Sequence, residues 1–569
     1  MNKKTILIGV AALLAVVVVV AFVTTRPEPP LTVPEGAQAG DLILEPCTHK
    51  IKTGMFSSVG YSADCGTLVV AENRGDPNSR LIALPVVRIH ATGSNPTEPI
   101  LQLRGGPGQS NIGISRPSWF VEDHDIVLVG YRGVDGSVVL DCPEVVKVMR
   151  MSDDALSDPA LDNLNAAYAR CAQRLQDEGV DTDGYTVAEV VDDMEAARVG
   201  LGYERVNLLS GSYGTRVAML YAWMHPESIY RSAMIAVDAP GATIHEPEVV
   251  DEQLEYYAAL CAQDAECSTR TDDLAETMRK VADNMPDRWL MLPINAGLVK
   301  AATIKFLGTT DQARTAFDVW LAAAEGDPSG MALLTLLGPR MFASASVWGD
   351  NAAKRGSLGE YDPARNYRAE LNPPDSIMGS PETIQATASA GWPANLIAEE
   401  YRQVQPSDVE TLLVSGSIDF NTPVQFAKDL LPYLSKGQHV ILSEFGHGEM
   451  VRLQPEASER LLTSFYDTGV ADDSLFTYHP VDFHVGLGYP AMARIALAAI
   501  VLVIVGLVAL VWFVARRGRV RRRRASQVSS RQAVRRRTGR WGGNGALKEV
   551  FTLIDVNQIK PEFANDQSY

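Results

Sequence analysis

The sequence predicts an α/β fold: a mostly parallel sheet with helices on both faces, an inserted helical cap, and a transmembrane helix at either end. Three observations carry this. Short, almost continuously apolar runs alternate with segments of helical period, which is the pattern of strands buried on both faces. One such run, Val206 to Leu209, turns into a helix through Ser210-Gly-Ser-Tyr-Gly214, a sharp strand-to-helix elbow. Two long apolar stretches without a charge, Thr5 to Val23 and Ile495 to Ala515, lie near the ends.

At the N-terminus, Met1-Asn-Lys-Lys4 precedes an apolar run of about 19 residues, enough to cross a bilayer as a helix. A cleavable signal peptide is the competing reading. Its apolar core would be shorter, and the only small-x-small site, Ala37-Gln-Ala39, lies beyond Pro27, Pro29, Pro30 and Pro34. An uncleaved anchor over residues 1–24 is therefore expected. The second span, 495–515, abuts Arg516-Arg-Gly-Arg-Val-Arg-Arg-Arg-Arg524, with further arginines at Arg531, Arg535 to Arg537 and Arg540. An arginine cluster beside a span marks the cytoplasmic side, as do Lys3 and Lys4. Both termini are thus expected in the cytoplasm, with about 470 residues outside. Nucleic-acid binding is the other reading of the arginine run, but its place beside a span favours orientation and contact with anionic lipid.

The formal net charge of −18 hides an asymmetry. The tail 516–569 carries about +10 and the first four residues +2, leaving about −30 between them. So acidic an outer segment argues against nucleic acid as a partner. All six cysteines (Cys47, Cys65, Cys142, Cys171, Cys261 and Cys267) fall in that segment, which suits an oxidising compartment. Nearest-neighbour pairing is the simplest of about 15 possible connectivities. No pair has the spacing of a zinc or redox site, so neither metal nor cofactor is expected.

Along the chain, 25–60 reads as a linker and a leading strand, with Pro and Gly frequent over 24–40. The first part of the sheet domain spans 61–240. It holds strands at Thr67 to Ala71 and Leu81 to Ile89, then Pro99 to Leu103 ending in Arg104-Gly-Gly-Pro-Gly-Gln-Ser110. Asp125 to Val129 follows, ending in Gly130-Tyr-Arg-Gly-Val-Asp-Gly-Ser137. Val187 to Gly200 reads as a helix with Val187, Val190, Val191, Met194, Ala197 and Val199 on roughly one face, and the elbow helix starts at about Thr215. Ser232 to Val237 is another buried strand. From 241 to 405 the pattern is helical with no clear strand, a cap over the sheet. The strand rhythm resumes over 406–487 with Thr411 to Ser415 and His439 to Leu442, closed by a helix. In the tail, Ala546 to Val556 fits a short amphipathic helix.

A serine hydroxyl is a poor nucleophile until a base takes its proton, and the base works best when a carboxylate orients it. Ser212 stands at the elbow between Gly211 and Gly214; a plain Gly/Ser-rich turn is the alternative for these residues alone. In this architecture an acid and then a histidine should follow on loops at strand ends. Asp419 follows the strand at 411–415, in Gly416-Ser-Ile-Asp-Phe-Asn-Thr-Pro423, and His447 follows the strand at 439–442, between Gly446 and Gly448. Asp238 is a rival for the acid; His479 and His484 lie too near the second span to rival His447. A tetrahedral intermediate also needs backbone donors. Tyr213 would supply one, and Gly106 or its neighbour Gly105 the other.

This set of motifs resembles the α/β-hydrolase fold, and more narrowly its proline iminopeptidase and tripeptidyl aminopeptidase branch, over about residues 60–240 and 406–455. The resemblance rests on Gly105-Gly-Pro-Gly108, Tyr131-Arg-Gly133 with Asp135-Gly-Ser137, Gly211-Ser-Tyr-Gly-Thr215, Asp419 with Thr422-Pro423, and Gly446-His-Gly448. It implies a serine hydrolase that removes residues from the N-termini of short peptides. It further implies that Ser212, Asp419 and His447 form the triad, and that Tyr213 and the glycine loop form the oxyanion hole. Three positions depart from the family pattern: Arg104 stands for His, Ser210 for Gly, and Gly130-Tyr-Arg-Gly133 for Asp-Gln-Arg-Gly. These departures bear on pocket chemistry rather than on the triad. Cap carboxylates of that branch bind the substrate amine, a part open here to Glu252 and Glu255. Two other readings stand beside the aminopeptidase: an esterase or lipase on the same fold, taking a small ester, and an idle hydrolase-like receptor.

Overall fold

Strands and helices form here from local signals that agree with burial. The computed structural model describes residues 31–52, 57–151, 154–240, 246–360, 364–380 and 383–538. The expected N-terminal anchor and the expected amphipathic helix at 546–556 lie outside them. The chain divides at Arg494 and Ile495 into two compact units.

The first unit opens with β1 (Leu42–Lys52), β2 (Ser58–Ala71), β3 (Leu81–Ile89), β4 (Thr97–Leu103) and β5 (His124–Val129). Helices α1 (Pro143–Met151), α2 (Asp158–Asp177) and α3 (Val187–Leu201) lead to β6 (Val206–Ser212), α4 (Tyr213–Met224) and β7 (Ile229–Val237). The start and stop of α3 are written in its ends: Thr186 caps the Glu189 amide at 3.2 Å, and Gly202 closes the helix in the left-handed region at φ 79°. Then come α5 (Pro247–Gln263), α6 (Leu274–Asp283), a small hairpin of β8 (Arg288–Trp289) and β9 (Leu292–Pro293), α7 (Ala296–Phe306), α8 (Thr310–Ala324), α9 (Ser329–Ala343), α10 (Trp348–Ser357), α11 (Tyr367–Glu370) and α12 (Thr383–Ser389). The fold closes with β10 (Glu410–Gly416), α13 (Val424–Leu430), β11 (Gly437–Leu442), α14 (Met450–Leu453) and α15 (Pro455–Thr468).

The nine long strands form one sheet in the order β1-β2-β3-β5-β4-β6-β7-β10-β11. The pairings from β1 to β5 are antiparallel and those from β5 through β11 are parallel. Strands buried on both faces explain the unbroken apolar runs. In β5, Val127 and Val129 join a core with Val190, Met194 and Val217 of α3 and α4, whereas Ile126 and Leu128 join the opposite core with Leu461 and Phe465 of α15. Each such side chain contributes roughly 1.5–3 kcal/mol on burial.

Two features differ from the sequence reading. The leading hairpin is longer than the apolar run at 67–71, because β1, at the sheet edge, and the start of β2, paired with β1 alone, are half-exposed and their polar residues break the apolar run. The helical insertion also carries the β8–β9 hairpin, two residues a side, where no strand was expected. The cysteines pair as nearest neighbours: Cys47–Cys65, Cys142–Cys171 and Cys261–Cys267. With separations of 18 and 29 residues, the first two each remove loop entropy of roughly 3–4 kcal/mol from the unfolded chain.

The helix α16 (Tyr489–Thr538) enters the second unit, and its stretch Tyr489–Arg522 has a mean hydropathy of 3.1 in its most apolar window. Among the described residues it is the one helix that alone is long and apolar enough to span a bilayer, and it runs past both ends of the expected 495–515.

Candidate active site

The C-terminal ends of the parallel strands deliver the site. At the end of β6 the chain reverses through Ser212, held at φ 54° and ψ −132°. A non-glycine residue there stores roughly 1–3 kcal/mol of strain, which the surrounding packing must hold. The elbow is tight enough that a Cβ on Gly214 would meet the Leu103 carbonyl oxygen at 2.2 Å. Ser210 fills its small position without strain: it is buried, and its hydroxyl donates to the Ala233 carbonyl at 3.0 Å. Helix α4 begins at Tyr213 rather than Thr215, so the Tyr213 amide is the first of its unpaired N-terminal donors.

Asp419, fully buried after β10, accepts hydrogen bonds from the Asn421 amide at 3.0 Å, the Thr422 amide at 2.9 Å and the Thr422 hydroxyl at 2.8 Å. Its carboxylate oxygens lie 3.0 and 2.9 Å from His447 Nδ1. That contact puts the Nδ1 proton toward Asp419 and leaves Nε2 free to act as a base. Burial pulls the His447 pKa down, but the charge and hydrogen bond of Asp419 pull harder the other way; Lys305 opposes them, Asp238 adds to them, and the net shift is upward. Asp238 does not reach the histidine. It lies at the end of β7 and pairs with the buried Arg216 at 2.9 Å.

The glycine loop after β4 lies against the nucleophile: a Cβ on Gly105 would sit 2.9 Å from Ser212 Cβ and 3.4 Å from its Oγ. Asn111 and Tyr131 brace the loop. Asn111 Oδ1 accepts from the Arg104 amide at 2.8 Å, and the Tyr131 hydroxyl donates to the Arg104 carbonyl at 3.1 Å. The insertion braces it from above, where the Gly108 amide donates to Asp350 Oδ2 at 3.1 Å. Asp350 is itself paired with Lys354 at 2.8 Å, both side chains being almost wholly buried. Arg104 is exposed and contacts the Ser110 carbonyl at 3.4 Å; it is not part of the pocket wall. Arg132 is fully buried and pairs with Asp193 through two 2.6 Å contacts.

The insertion also holds the histidine loop. The His447 amide donates to the Gly308 carbonyl at 2.6 Å. Buried Glu449 bridges the same two segments, accepting from the Thr310 amide at 3.1 Å and hydroxyl at 3.0 Å on one oxygen, and from the Gly446 amide at 2.8 Å on the other.

Ser212, His447, Gly105 and Gly106 line one cavity of about 500 Å³. Asp419 stands behind His447, and Tyr213 packs beneath the elbow in the core. The structure thus brings all six expected site residues together. Ser212 and His447 share the cavity without a hydrogen bond between them, a contact that often tightens only around substrate. The remaining walls come from the helical insertion and α1–α2, with Met149, Leu164, Leu298, Ile304, Phe342 and Trp348 making them largely apolar. Glu252 and Glu255 are exposed on α5 and do not line the cavity, so a solvated helix face accounts for them. His484 lies elsewhere, paired with Glu266 at 2.7 Å. Among the described residues, no group of three or more His, Cys, Asp and Glu side chains could hold a metal ion.

A strained serine on an elbow, a histidine held by a buried aspartate and a glycine loop against the nucleophile, all on one parallel-sheet edge, define a serine hydrolase. The chain is an α/β-hydrolase-fold member of that class: the model for the alpha/beta hydrolase fold matches residues 99–282, and that for TAP-like protein matches 377–474. It is similar to serine protease Hip1 of Mycobacterium bovis and of Mycobacterium tuberculosis, 24% identical over 425 residues that cover 64% of this chain and 78% of theirs. Among solved structures it is similar to an alpha/beta hydrolase enzyme from a Medee basin deep-sea metagenome library, at 15% identity and a TM-score of 0.34, covering 69% of this chain and 96% of that one. A thermophilic esterase from Thermogutta terrifontis shares 13% identity at a TM-score of 0.31, covering 71% and 98%.

Proposed function

We propose that this serine hydrolase is a membrane-anchored aminopeptidase that works outside the cytoplasm and releases N-terminal residues or short units from peptides. In this reading His447 Nε2 takes the proton of Ser212 Oγ as the oxygen attacks the scissile carbonyl. Asp419 holds the imidazole in the required tautomer and stabilises the imidazolium that forms. The amides of Tyr213 and of Gly106 or Gly105 receive the oxyanion. His447 then passes its proton to the leaving amine as the C–N bond breaks, and water hydrolyses the acyl-enzyme by the same steps in reverse.

The observation that carries the reading is the place of Ser212 in a cleft between the sheet and the insertion. The serine lies in a cavity of about 500 Å³ roofed by the insertion, a space suited to a short peptide or a chain end rather than the middle of a folded chain. The TAP-like match and the likeness to a serine protease favour peptides over esters. Asp238, a carboxylate of the described lining, would receive the substrate ammonium while sharing its charge with Arg216. The anchor is supported by α16 and the arginines that follow its apolar stretch, and the extracytoplasmic site by three disulfides. With the N-terminal run as a second span, both termini would lie in the cytoplasm.

The test compares wild type with Ser212→Ala on tripeptide and amino-acid chromogenic amides, their N-acetylated forms, and short p-nitrophenyl esters. Cleavage confined to free-amine amides and lost in Ser212→Ala is the expected result. Turnover of esters and blocked amides alike would replace the aminopeptidase by an esterase, which the apolar walls would also serve. No turnover, together with no fluorophosphonate labelling of Ser212, would leave a binding protein.

A further inference from the structure

The lining of the cavity carries three charged groups among the described residues: Asp238, Arg355 and Lys305. Two are already matched, Asp238 by Arg216 at 2.9 Å and Arg355 by Glu360 at 3.0 Å. Lys305 has no ion pair or hydrogen bond from its side chain to any described residue, and it is exposed. It is nevertheless not a stray surface lysine. Leu298, Ala301 and Lys305 recur at helical spacing on α7 and all face the cavity, so the apolar face that forms the wall ends in a cation.

Its place along the reaction path follows from what it adjoins. Three residues beyond Lys305, the Gly308 carbonyl accepts the His447 amide at 2.6 Å, which fixes the end of α7 to the backbone of the base. The charge of Lys305 also opposes protonation of that imidazole, so the two groups are within electrostatic reach. In acyl transfer the protonated base must deliver its proton to the leaving atom, so the departing half of the substrate passes beside His447 and within reach of the end of α7 that carries Lys305. The acyl half instead lies by Ser212 and the glycine loop.

We propose that Lys305 is a specificity-determining residue that binds a carboxylate carried by the leaving half of the substrate, within a residue or two of the scissile bond. This rests on the reading of Ser212 and His447 as nucleophile and base. It narrows the substrate class to short peptides that end soon after the cleaved bond, or that bear an acidic side chain there. A free C-terminal carboxylate and an acidic side chain present the same anion, and the choice of peptides separates them.

Three tripeptides with one acyl part serve as probes: Ala-Ala-Ala free acid, Ala-Ala-Ala amide and Ala-Ala-Asp amide. Each is assayed by amine release with full-length wild type, Lys305→Met, Lys305→Arg and Lys305→Glu. The quantity read is the kcat/KM ratio of anionic to neutral peptide within each variant, so that any general loss of folding or activity cancels. Wild type should prefer the anionic peptide about 10- to 100-fold, mostly through KM. Lys305→Arg should keep much of that preference, Lys305→Met should bring the ratio near one, and Lys305→Glu should invert it. Which of the two anionic peptides gains identifies the source of the carboxylate. The acid limb of kcat/KM should also move to higher pH in Lys305→Met, a shift that a merely structural lysine would not cause. A wild-type ratio of one, or an equal loss on all three peptides in Lys305→Met, overturns the proposal while leaving the serine peptidase intact. Should no peptide turn over, calorimetric binding of the same peptides to Ser212→Ala reads the ratio without chemistry, and equal affinities then overturn it.

Discussion

Breaking the Asp350–Lys354 pair should be costly out of proportion to its one short contact. The Lys354 ammonium donates to Asp350 Oδ1 at 2.8 Å, the Tyr185 carbonyl at 3.1 Å and the Arg132 carbonyl at 3.3 Å, with side chains 1% and 2% exposed. Burial drives the Asp350 pKa up and the Lys354 pKa down, each toward its neutral form, and each partner's charge opposes that drift. Lys354→Met leaves a buried carboxylate with no counter-charge, and Asp350→Asn leaves a buried ammonium; each should cost about 3–5 kcal/mol. The double substitution removes both charges while Asn can still accept from the Gly108 amide. It leaves two carbonyls short of a donor, at about 1 kcal/mol each, and should therefore cost only about 2 kcal/mol. The double mutant should thus be more stable than either single. Urea unfolding of the full chain in detergent measures the cycle, and peptide turnover by the folded variants reports whether the glycine loop keeps its place. Single substitutions that each cost under about 1 kcal/mol and simply add would show that the pair carries no buried charge and refute the reasoning.

Two further outcomes follow from the geometry. Gly105→Ala places a Cβ 2.9 Å from Ser212 Cβ and 3.2 Å from the Gly211 carbonyl, so one side of the elbow must give. Turnover should fall by about 100- to 1,000-fold, the scale of losing an oxyanion donor, while the unfolding midpoint moves little; full activity would remove the glycine loop from the site. The raised pKa of His447 sets opposite pH slopes for activity and stability. Its protonated pair with Asp419 stabilises the fold fully below the unfolded value near pH 6.5, and that contribution is lost as pH rises through the higher folded value. Activity needs the neutral imidazole and should rise over the same window. Asp419→Asn should move the activity limb to lower pH, because burial, the largest influence on the imidazole, then meets no charge from Asp419, and cut turnover by roughly 10,000-fold through the wrong tautomer; an unmoved limb would detach Asp419 from His447.

The parts of the site that were legible in the sequence are those whose chemistry is written within a few residues. The Ser212 elbow is a steric pattern, small residues around a strained serine, and Ser210 fits it as well as glycine would because its hydroxyl finds the Ala233 carbonyl. Asp419 and His447 follow strands that a short apolar run announces. Asp350 and Lys354 were invisible because their meaning lies in contacts across the chain. Gly108 and Asp350 are separated by 242 positions, and the i,i+4 spacing of Asp350 and Lys354 looks like that of any solvated helix pair until burial is known. Glu449 stood in view beside Gly446-His-Gly448, but nothing near it tells that its partner Thr310 lies 139 residues away. The bounds of the leading strand expected within 25–60 escaped for a related reason: half of the side chains of β1 face solvent, so it lacks the uniform apolarity of the central strands.

The tie between the Gly308–Thr310 turn and the histidine loop limits how such an enzyme can be rebuilt. The insertion reads as a module, one long excursion between β7 and β10, and modules invite exchange between relatives. Yet the backbone of His447 is held by the Gly308 carbonyl, and Glu449 closes the same junction from the other side. A transplanted insertion that lacked this turn would leave the base without its anchor even if every strand and loop of the sheet were kept. Chimaeras should therefore be cut so that residues 308–310 travel with the host's histidine loop rather than with the guest.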